Sequence, residues 1–238
     1  MNNNKLYEMK KIFTIFTLMI CSLVYSQNVF WYNVFLEIDP NHTSSVVGLV
    51  DDFYSNHPKP SNISVEFSSI PLRSVSEKAT HVVGFTSESS QSLADFRNSL
   101  KGSKWDLFHS EMRKYVKSAR ASAGRDLVSN DSKSRLPIAQ AWIFKLKNRD
   151  LNQIIRAFDK FIKSTQFDGF VSMGQIVHGS ENGEGIYTYA SYANLNEAFN
   201  FGPRTDNNKE VAAFTELFAA LDNIEYTRTF TRVLIKSY

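Results

Sequence analysis

The chain has 238 residues, of which 42% are hydrophobic, and a formal net charge of +3. A balance so close to neutral gives no electrostatic basis for binding nucleic acid or an anionic membrane. Its single cysteine, Cys21, excludes an internal disulfide and leaves the rest of the chain without a thiol nucleophile or a cysteine metal ligand.

Residues 1–26 have the features of an export signal. Lysines precede an apolar run over residues 12–24, which is too short to span a bilayer. Val24 and Ser26 occupy the −3 and −1 positions of a cleavage site before Gln27. We therefore expect a bacterial protein in the periplasm or outside the cell, with no membrane span after cleavage. An uncleaved anchor is the alternative.

The first half predicts a strand, a helix, two strands and further helices. Residues 31–38 alternate, so that Trp31, Asn33, Phe35 and Glu37 share one face. The elements expected after this strand are a helix around 46–53, strands 63–72 and 80–86, a short helix at 93–96 and a long helix from 104 to 127. The long helix rests on the spacing of Trp105, Phe108, Met112, Tyr115 and Ala119.

The second half predicts the same order again. Its expected elements are strand 138–147, helix 151–164, strands 170–178 and 186–192, a short helix 195–199, helix 209–221 and strand 229–236. The turn at 180–183 indicates a hairpin between the two middle strands.

The two halves also share a residue pattern, which indicates an internal duplication. Val46, Val47, Val50 and Phe53 align at one constant offset with Ile154, Ile155, Phe158 and Phe161. We expect units at 27–134 and 135–238, joined by the polar residues 129–134. The first unit has no clear fourth strand. Either residues 134–147 serve both halves, or a short strand lies within 126–129.

This layout resembles the dimeric α+β barrel superfamily over residues 28–238. The resemblance implies an α+β fold of two tandem ferredoxin-like units, whose antiparallel sheets face each other across a cavity with the helices outside. The superfamily includes cofactor-free monooxygenases as well as haem-binding chlorite dismutases and dye-decolourising peroxidases.

The haem-binding branches of the superfamily can be tested on particular residues. Thr165–Gly169 is the nearest match to the peroxidase G-x-x-D-G motif, and it lacks the first glycine. The predicted second-half helices contain no histidine that could act as a proximal haem ligand. We therefore expect no cofactor, with haem as the alternative. No pair of histidines has the helical spacing of a metal site, so we also expect no metal.

Candidate site residues follow from the faces of the predicted strands. Those expected to bind a ligand are Trp31, Asn33, Phe35, Tyr187, Tyr189 and Arg232. Tyrosines on one strand face offer both apolar surface and hydroxyl groups. The catalytic candidates are His178, Tyr187, Tyr189 and Glu37. His109, one step from the apolar stripe of the predicted long helix, could act as a ligand from that helix. The ordinary alternative for Glu37 is an ion pair with Lys145 or Arg232.

Three functions fit these residues. The first is an exported protein that binds a small, largely apolar molecule between its two sheets. The second is a cofactor-free monooxygenase or isomerase that uses the catalytic candidates as acid, base and positioning groups. The third is a structural or interaction module whose interior is filled by Trp31, Phe35 and Trp142. The sequence does not predict the oligomeric state. Whether the space between the sheets is open or filled would distinguish the three functions.

Overall fold

A computed structural model describes residues 29–130, 134–145, 151–202, 206–221 and 224–238. The predicted export signal at 1–26 lies outside these residues. Among the residues described, no helix is both long and apolar enough to cross a membrane.

Strands and helices follow the predicted order, with one exception in the first half. The strands are β1 (Phe30–Ile38), β2 (Ser64–Arg73), β3 (His81–Ser87), β4 (Val116–Ser129), β5 (Ile138–Lys145), β6 (Val171–His178), β7 (Glu184–Tyr192) and β8 (Tyr226–Ser237). The helices are α1 (Thr43–Asn56), α2 (Ser90–Ser99), α3 (Ser103–Met112), α4 (Leu151–Ser164), α5 (Leu195–Phe199) and α6 (Asn208–Leu221). A short 3-10 helix, Pro40–His42, precedes α1 and is capped by the Asp39 carboxylate.

All eight strands form one closed antiparallel barrel in the order β1-β3-β2-β8-β5-β7-β6-β4. Residues 30–129 supply four adjacent strands in the order β4-β1-β3-β2, and residues 138–237 supply the other four in the equivalent order. The halves meet at two seams, where β2 pairs with β8 and β4 pairs with β6. Closure leaves no free sheet edge.

The long helix predicted over 104–127 is wrong. Helix α3 ends at Met112, and residues 116–129 form β4, which is the missing fourth strand of the first half. Neither sequence alternative was correct, since the strand is long and belongs to the first half alone. Alanine, serine and glycine dominate β4, so its local preference for a strand is weak. Its pairing with β1 over residues 116–125 and with β6 over residues 123–129 overrides that preference.

Apolar side chains pack in three places because successive strand residues point alternately out of the barrel and into it. One cluster lies between the first-half sheet and α1–α3, around Val46, Val65 and Phe85. A second lies between the second-half sheet and α4 and α6, around Ile154 and Met173. The third is a belt inside the barrel, formed by Phe35, Ile70, Ala79, Val82, Ala141, Ile143, Ile176, Tyr187 and Phe230. This belt fills much of the interior.

Candidate functional site

The six predicted ligand-binding residues all line one cavity inside the barrel. Trp31, Asn33 and Phe35 reach it from β1, Tyr187 and Tyr189 from β7, and Arg232 from β8. The alternation of each strand brings them together, although β1 is far from β7 and β8 in sequence. The cavity has a volume of only ≈ 70 Å³, room for a few water molecules.

A chain of hydrogen bonds crosses the wall of this cavity. Trp31 Nε1 donates to Tyr187 Oη at 2.6 Å. Tyr187 Oη in turn donates to Asp126 Oδ1, which also accepts from Ser172 Oγ at 3.1 Å. Burial, and then the Asp126 carboxylate, raises the pKa of Tyr187 well above its usual value. A raised pKa favours the neutral phenol, which can donate and accept hydrogen bonds.

Asp126 is one of the polar residues of the interior that the sequence does not single out. The predicted long helix contains it, whereas β4 turns its side chain into the barrel opposite Gly174. The only signal for it was the alternation of residues 122, 124 and 126, which the helical stripe obscured.

The Arg232 guanidinium has two hydrogen-bond acceptors. Its Nη2 donates to Tyr189 Oη at 2.7 Å and to Glu66 Oε2 at 3.3 Å. Arg135 also reaches the cavity, with its guanidinium carbon 5.0 Å from the centre of the Phe170 ring. With Arg228, the interior thus combines aromatic walls with three guanidinium groups.

Two catalytic candidates lie elsewhere. His178 is exposed at the end of β6 and is absent from the residues lining the interior cavity. Glu37 lines a polar opening of the barrel and accepts a hydrogen bond from Ser118 Oγ at 2.8 Å. The ion pairs expected for it go to other groups, since Lys145 pairs with Glu225 and Arg232 pairs with Glu66.

The opening near Glu37 is closed from the inside by a buried ion network. Glu77 accepts hydrogen bonds from both Arg120 and Arg228. Arg228 also donates two hydrogen bonds to the Glu184 carboxylate, from Nε at 2.8 Å and from Nη2 at 2.9 Å. Each charge is matched within the network, which indicates a structural role.

A larger pocket lies outside the barrel, between the first-half sheet and its helices. We call it the outer pocket, and its volume is ≈ 330 Å³. Gly102, with a φ of 87°, turns the chain between α2 and α3, and α3 then lays Trp105, Phe108 and Met112 over the sheet. The full lining is Tyr32, Val34, Leu36, Tyr54, Val83, Phe85, Arg97, Leu100, Trp105, Phe108, His109, Met112, Arg113, Val116, Lys117, Ser118 and Ala119.

Positive charge collects in the outer pocket without a balancing negative charge in its walls. Arg97, Arg113 and Lys117 line it, and none of the described lining residues is a carboxylate. Lys117 pairs with Asp39 at 3.3 Å. Within the described part of the chain, Arg97 and Arg113 form no ion pair, and Arg97 Cζ lies 5.7 Å from the ring centres of both Tyr32 and Trp105.

His109 is the one candidate histidine that reaches this pocket. Its ring centre is 4.2 Å from that of Trp105. Burial, then Arg113 and Arg97, lowers the pKa of His109, so the imidazole is neutral near pH 7 and can accept a proton. Burial also raises the pKa of Tyr54 in the pocket wall. The sequence singled out His109 but gave no sign that Arg97 would join it.

The second half has a corresponding pocket of ≈ 550 Å³ between its sheet and α4 and α6. Among the described residues that line it, none is charged. The described part of its lining therefore offers hydroxyl groups, such as those of Thr188 and Tyr226, but no charge that could pair with an ionic ligand. In the described parts of the chain, no group of three histidine, cysteine, aspartate or glutamate side chains could hold a metal ion.

Comparison with known proteins finds similarity in structure only. No protein-family model and no curated protein matches the sequence. A proposed monooxygenase from Lactobacillus acidophilus superposes with a TM-score of 0.62 at 12% identity, covering 88% of this chain and 95% of that one. A proposed monooxygenase from Fusobacterium nucleatum gives 0.63 at 10% identity, covering 90% and 95%.

An anthrone oxidase-like protein gives a TM-score of 0.57 at 11% identity, covering 90% of this chain and 93% of its own. A protein described as a chlorite dismutase reaches only 0.49, which is too low to bear on haem. The three structures with a TM-score above 0.5 confirm the predicted α+β barrel fold of the chain. At such low identity they establish the fold alone.

Proposed function

We propose that the chain binds a flat, largely apolar molecule carrying one acidic oxygen in the outer pocket. The observation that carries the proposal is the unbalanced positive charge of Arg97 and Arg113 at the edge of an aromatic pocket of ≈ 330 Å³. That volume lies in the range of small-molecule sites, which are mostly apolar with a few polar groups that orient the ligand. The interior cavity, at ≈ 70 Å³, is too small for a ring-sized molecule as it stands.

The three tryptophans provide the test, because only Trp105 lines the outer pocket. Titration with 2-naphthoate should quench the fluorescence of the unmodified protein, and the quenching should be lost in Trp105→Phe but kept in Trp142→Phe. Arg97→Gln should weaken 2-naphthoate binding about tenfold, which corresponds to about 1.4 kcal/mol. It should leave binding of the uncharged 2-methylnaphthalene nearly unchanged.

Arg156→Gln, on the exposed face of α4, is the matched control and should bind 2-naphthoate normally. If the unmodified protein bound 2-naphthoate and 2-methylnaphthalene with equal affinity, the arginines would not contribute to ligand binding. Quenching that survives in Trp105→Phe would place the ligand outside this pocket.

A second candidate function is cofactor-free oxygenation of such a ligand, and His109 is the observation that favours it. A neutral imidazole in the pocket can take a proton from an acidic ring carbon, and the nearby guanidinium groups can stabilise the anion that forms. Reaction with O₂ then converts a ring CH₂ into C=O and releases one water. The fold is shared with the proposed monooxygenases and the anthrone oxidase-like protein, so anthrone is the natural first substrate.

Oxygen consumption with anthrone, and the appearance of anthraquinone, should exceed the buffer rate without added cofactor or metal. His109→Gln should reduce the enzymatic rate about 100-fold or more, the scale of a lost general base. His42→Gln, an exposed histidine near Tyr115, should keep the full rate. A buffer-level rate with anthrone bound would leave a binding protein and refute the oxygenase.

We further propose that the protein is exported. We expect cleavage after Ser26, so that the protein begins at Gln27 when it is purified from its native compartment. N-terminal sequencing would show this directly, and an intact N-terminus would contradict it.

We also propose that the chain is a fused pair of ferredoxin-like units. The support for that proposal is the equivalent strand order of residues 30–129 and 138–237.

A further inference from the structure

We propose that the barrel interior, around Asn33, Gly84 and Arg232, binds a small monocarboxylate of up to about five non-hydrogen atoms. This site is independent of the outer pocket. The two are separated by the β1–β3 sheet, whose inner face lines the interior cavity and whose outer face lines the outer pocket.

Three polar side chains of the cavity lack a protein partner. Asn33, Thr86 and Ser122 line the interior, and in the described part of the chain their side chains make no hydrogen bond to protein atoms. Ser122 is only 7% exposed. Asn33 and Thr86 are only partly buried, so these polar groups can be reached from the cavity and can hydrogen-bond to a small occupant.

The charges of the cavity favour an anion. Asp126 Oδ1 accepts hydrogen bonds from Tyr187 and Ser172, and Glu184 is held by Arg228. Arg232 pairs with Glu66 through Nη2, and among the described residues no hydrogen bond involves its Nη1. Among the residues described, Arg135 makes no ion pair, and it contributes a further positive charge. A carboxylate is the group that guanidinium forks and amide donors bind best.

Gly84 marks the position where the anion would lie. A Cβ atom there would come within 3.0 Å of Asn33 Oδ1 and 3.5 Å of Arg232 Nη1. The missing side chain therefore leaves a gap between an amide and a guanidinium that is narrow even for a Cβ atom, so a ligand can lie there only if the Asn33 side chain shifts. Rotation of the Asn33 amide presents its NH₂ to a carboxylate, and Tyr189, whose oxygen accepts from Arg232, keeps its own proton to donate.

The apolar belt limits the size of the ligand. Phe35, Ile143 and Phe230 pack beside the polar groups and leave only ≈ 70 Å³. Acetate fits this space, whereas the branched pivalate requires the belt to move. The site is therefore expected to select by size as well as by charge.

The indole N–H of Trp31 offers a direct readout, because it donates to Tyr187 in the wall of the cavity. In protein labelled with ¹⁵N-tryptophan, acetate should shift the Trp31 signal in a saturable way and leave those of Trp105 and Trp142 in place. Pivalate and the uncharged acetamide should cause little shift. An absent shift with acetate, or an equal shift with acetamide, would overturn the proposal.

Two substitutions probe the site without removing its cations. Gly84→Ala fills the space directly, and Asn33→Leu removes the amide while keeping a similar volume. Each should weaken acetate binding about tenfold, while Gly48→Ala on α1 should not. An unchanged Trp142 signal shows that a variant is folded, and a folded Gly84→Ala that binds acetate normally would refute the site. Because 2-naphthoate acts on Trp105 and acetate on Trp31, the two proposals fail separately.

Discussion

At the scale of single residues, the barrel interior depends on hydrogen bonds between strands that are distant in sequence. Trp31, Tyr187 and Asp126 come from β1, β7 and β4 and form one continuous chain of donors and acceptors. Alternation along β1 and β7 predicted the faces of the first two. The direction of Asp126 depends on β4 being a strand, and the helix predicted over 104–127 obscures it, although a short strand within 126–129 is one of the alternatives.

The Tyr187 hydroxyl should therefore contribute measurably to stability. Tyr187→Phe leaves the Asp126 carboxylate and the Trp31 indole without their shared partner, and we expect a loss of about 1–3 kcal/mol in the free energy of unfolding. Urea unfolding measures it. Tyr192→Phe is the matched control, since Tyr192 is also 7% exposed and its hydroxyl has no hydrogen-bond partner among the described residues. Equal losses in the two variants would mean that the hydrogen bonds contribute nothing.

A second residue links stability to pH. His81 is 7% exposed, its ring is stacked on Phe67, and its Nδ1 lies 3.0 Å from Thr80 Oγ1. Burial, and then Arg73, lowers the pKa of His81 below its unfolded value. The unfolded chain therefore binds the proton more readily, and stability should fall as the pH drops from about 7 to about 5.

His81→Asn should remove part of this fall, because asparagine keeps a hydrogen-bonding group near Thr80 but does not titrate. The measurement is the free energy of unfolding in urea at both pH values. The same slope in the variant and the unmodified protein would assign the fall to other groups, such as His57 and His109, whose pKa values burial also lowers.

At the scale of elements, close packing of the strands restricts some positions to glycine. Gly174 on β6 faces the Tyr187 hydroxyl and the Arg125 carbonyl oxygen, and a Cβ atom there would collide with both. Gly48 on α1 has no atom within 4 Å of the equivalent position. The same substitution should therefore have opposite effects at the two sites.

We expect Gly174→Ala to destabilise the protein by about 1–3 kcal/mol, because the core must shift to accept the methyl group. Gly48→Ala should stabilise it by about 0.5–1 kcal/mol, since alanine loses less backbone entropy in a helix. Thermal unfolding followed by circular dichroism compares them. A neutral Gly174→Ala would show that β6 and β7 pack more loosely than the structure indicates.

The elements also show which features a sequence encodes locally. Helices α1 and α4 and strands β1, β5 and β7 carry strong apolar periods, so pattern alone located them. Strand β4 carries alanine, serine and glycine, and it becomes a strand because β1 and β6 pair with it on both sides. The outer pocket could not be predicted for the same reason. Helix α3 packs over the first-half sheet only because it ends at Met112 and the chain then reverses into β4.

At the scale of the whole molecule, two strand seams and one buried ion network hold the halves together. Glu77 and Arg120 belong to the first half, and Arg228 and Glu184 belong to the second. The Glu77 side chain is 1% exposed and its carboxylate contacts an arginine from each half. Burial, then the charge of Arg228, lowers the pKa of Arg120, which is opposed by Glu77.

Removal of the Glu77 charge should therefore weaken the whole molecule and not one half. Glu77→Gln leaves two arginines close together without their shared anion, and we expect a loss of about 3–5 kcal/mol in the free energy of unfolding. Glu111→Gln, which breaks the exposed pair with Lys114, should cost at most about 0.5 kcal/mol. Urea unfolding monitored through Trp105 and Trp142 reports on the two halves separately. Coincident transitions that shift together in Glu77→Gln are expected, whereas a shift confined to one tryptophan would show that the halves unfold independently.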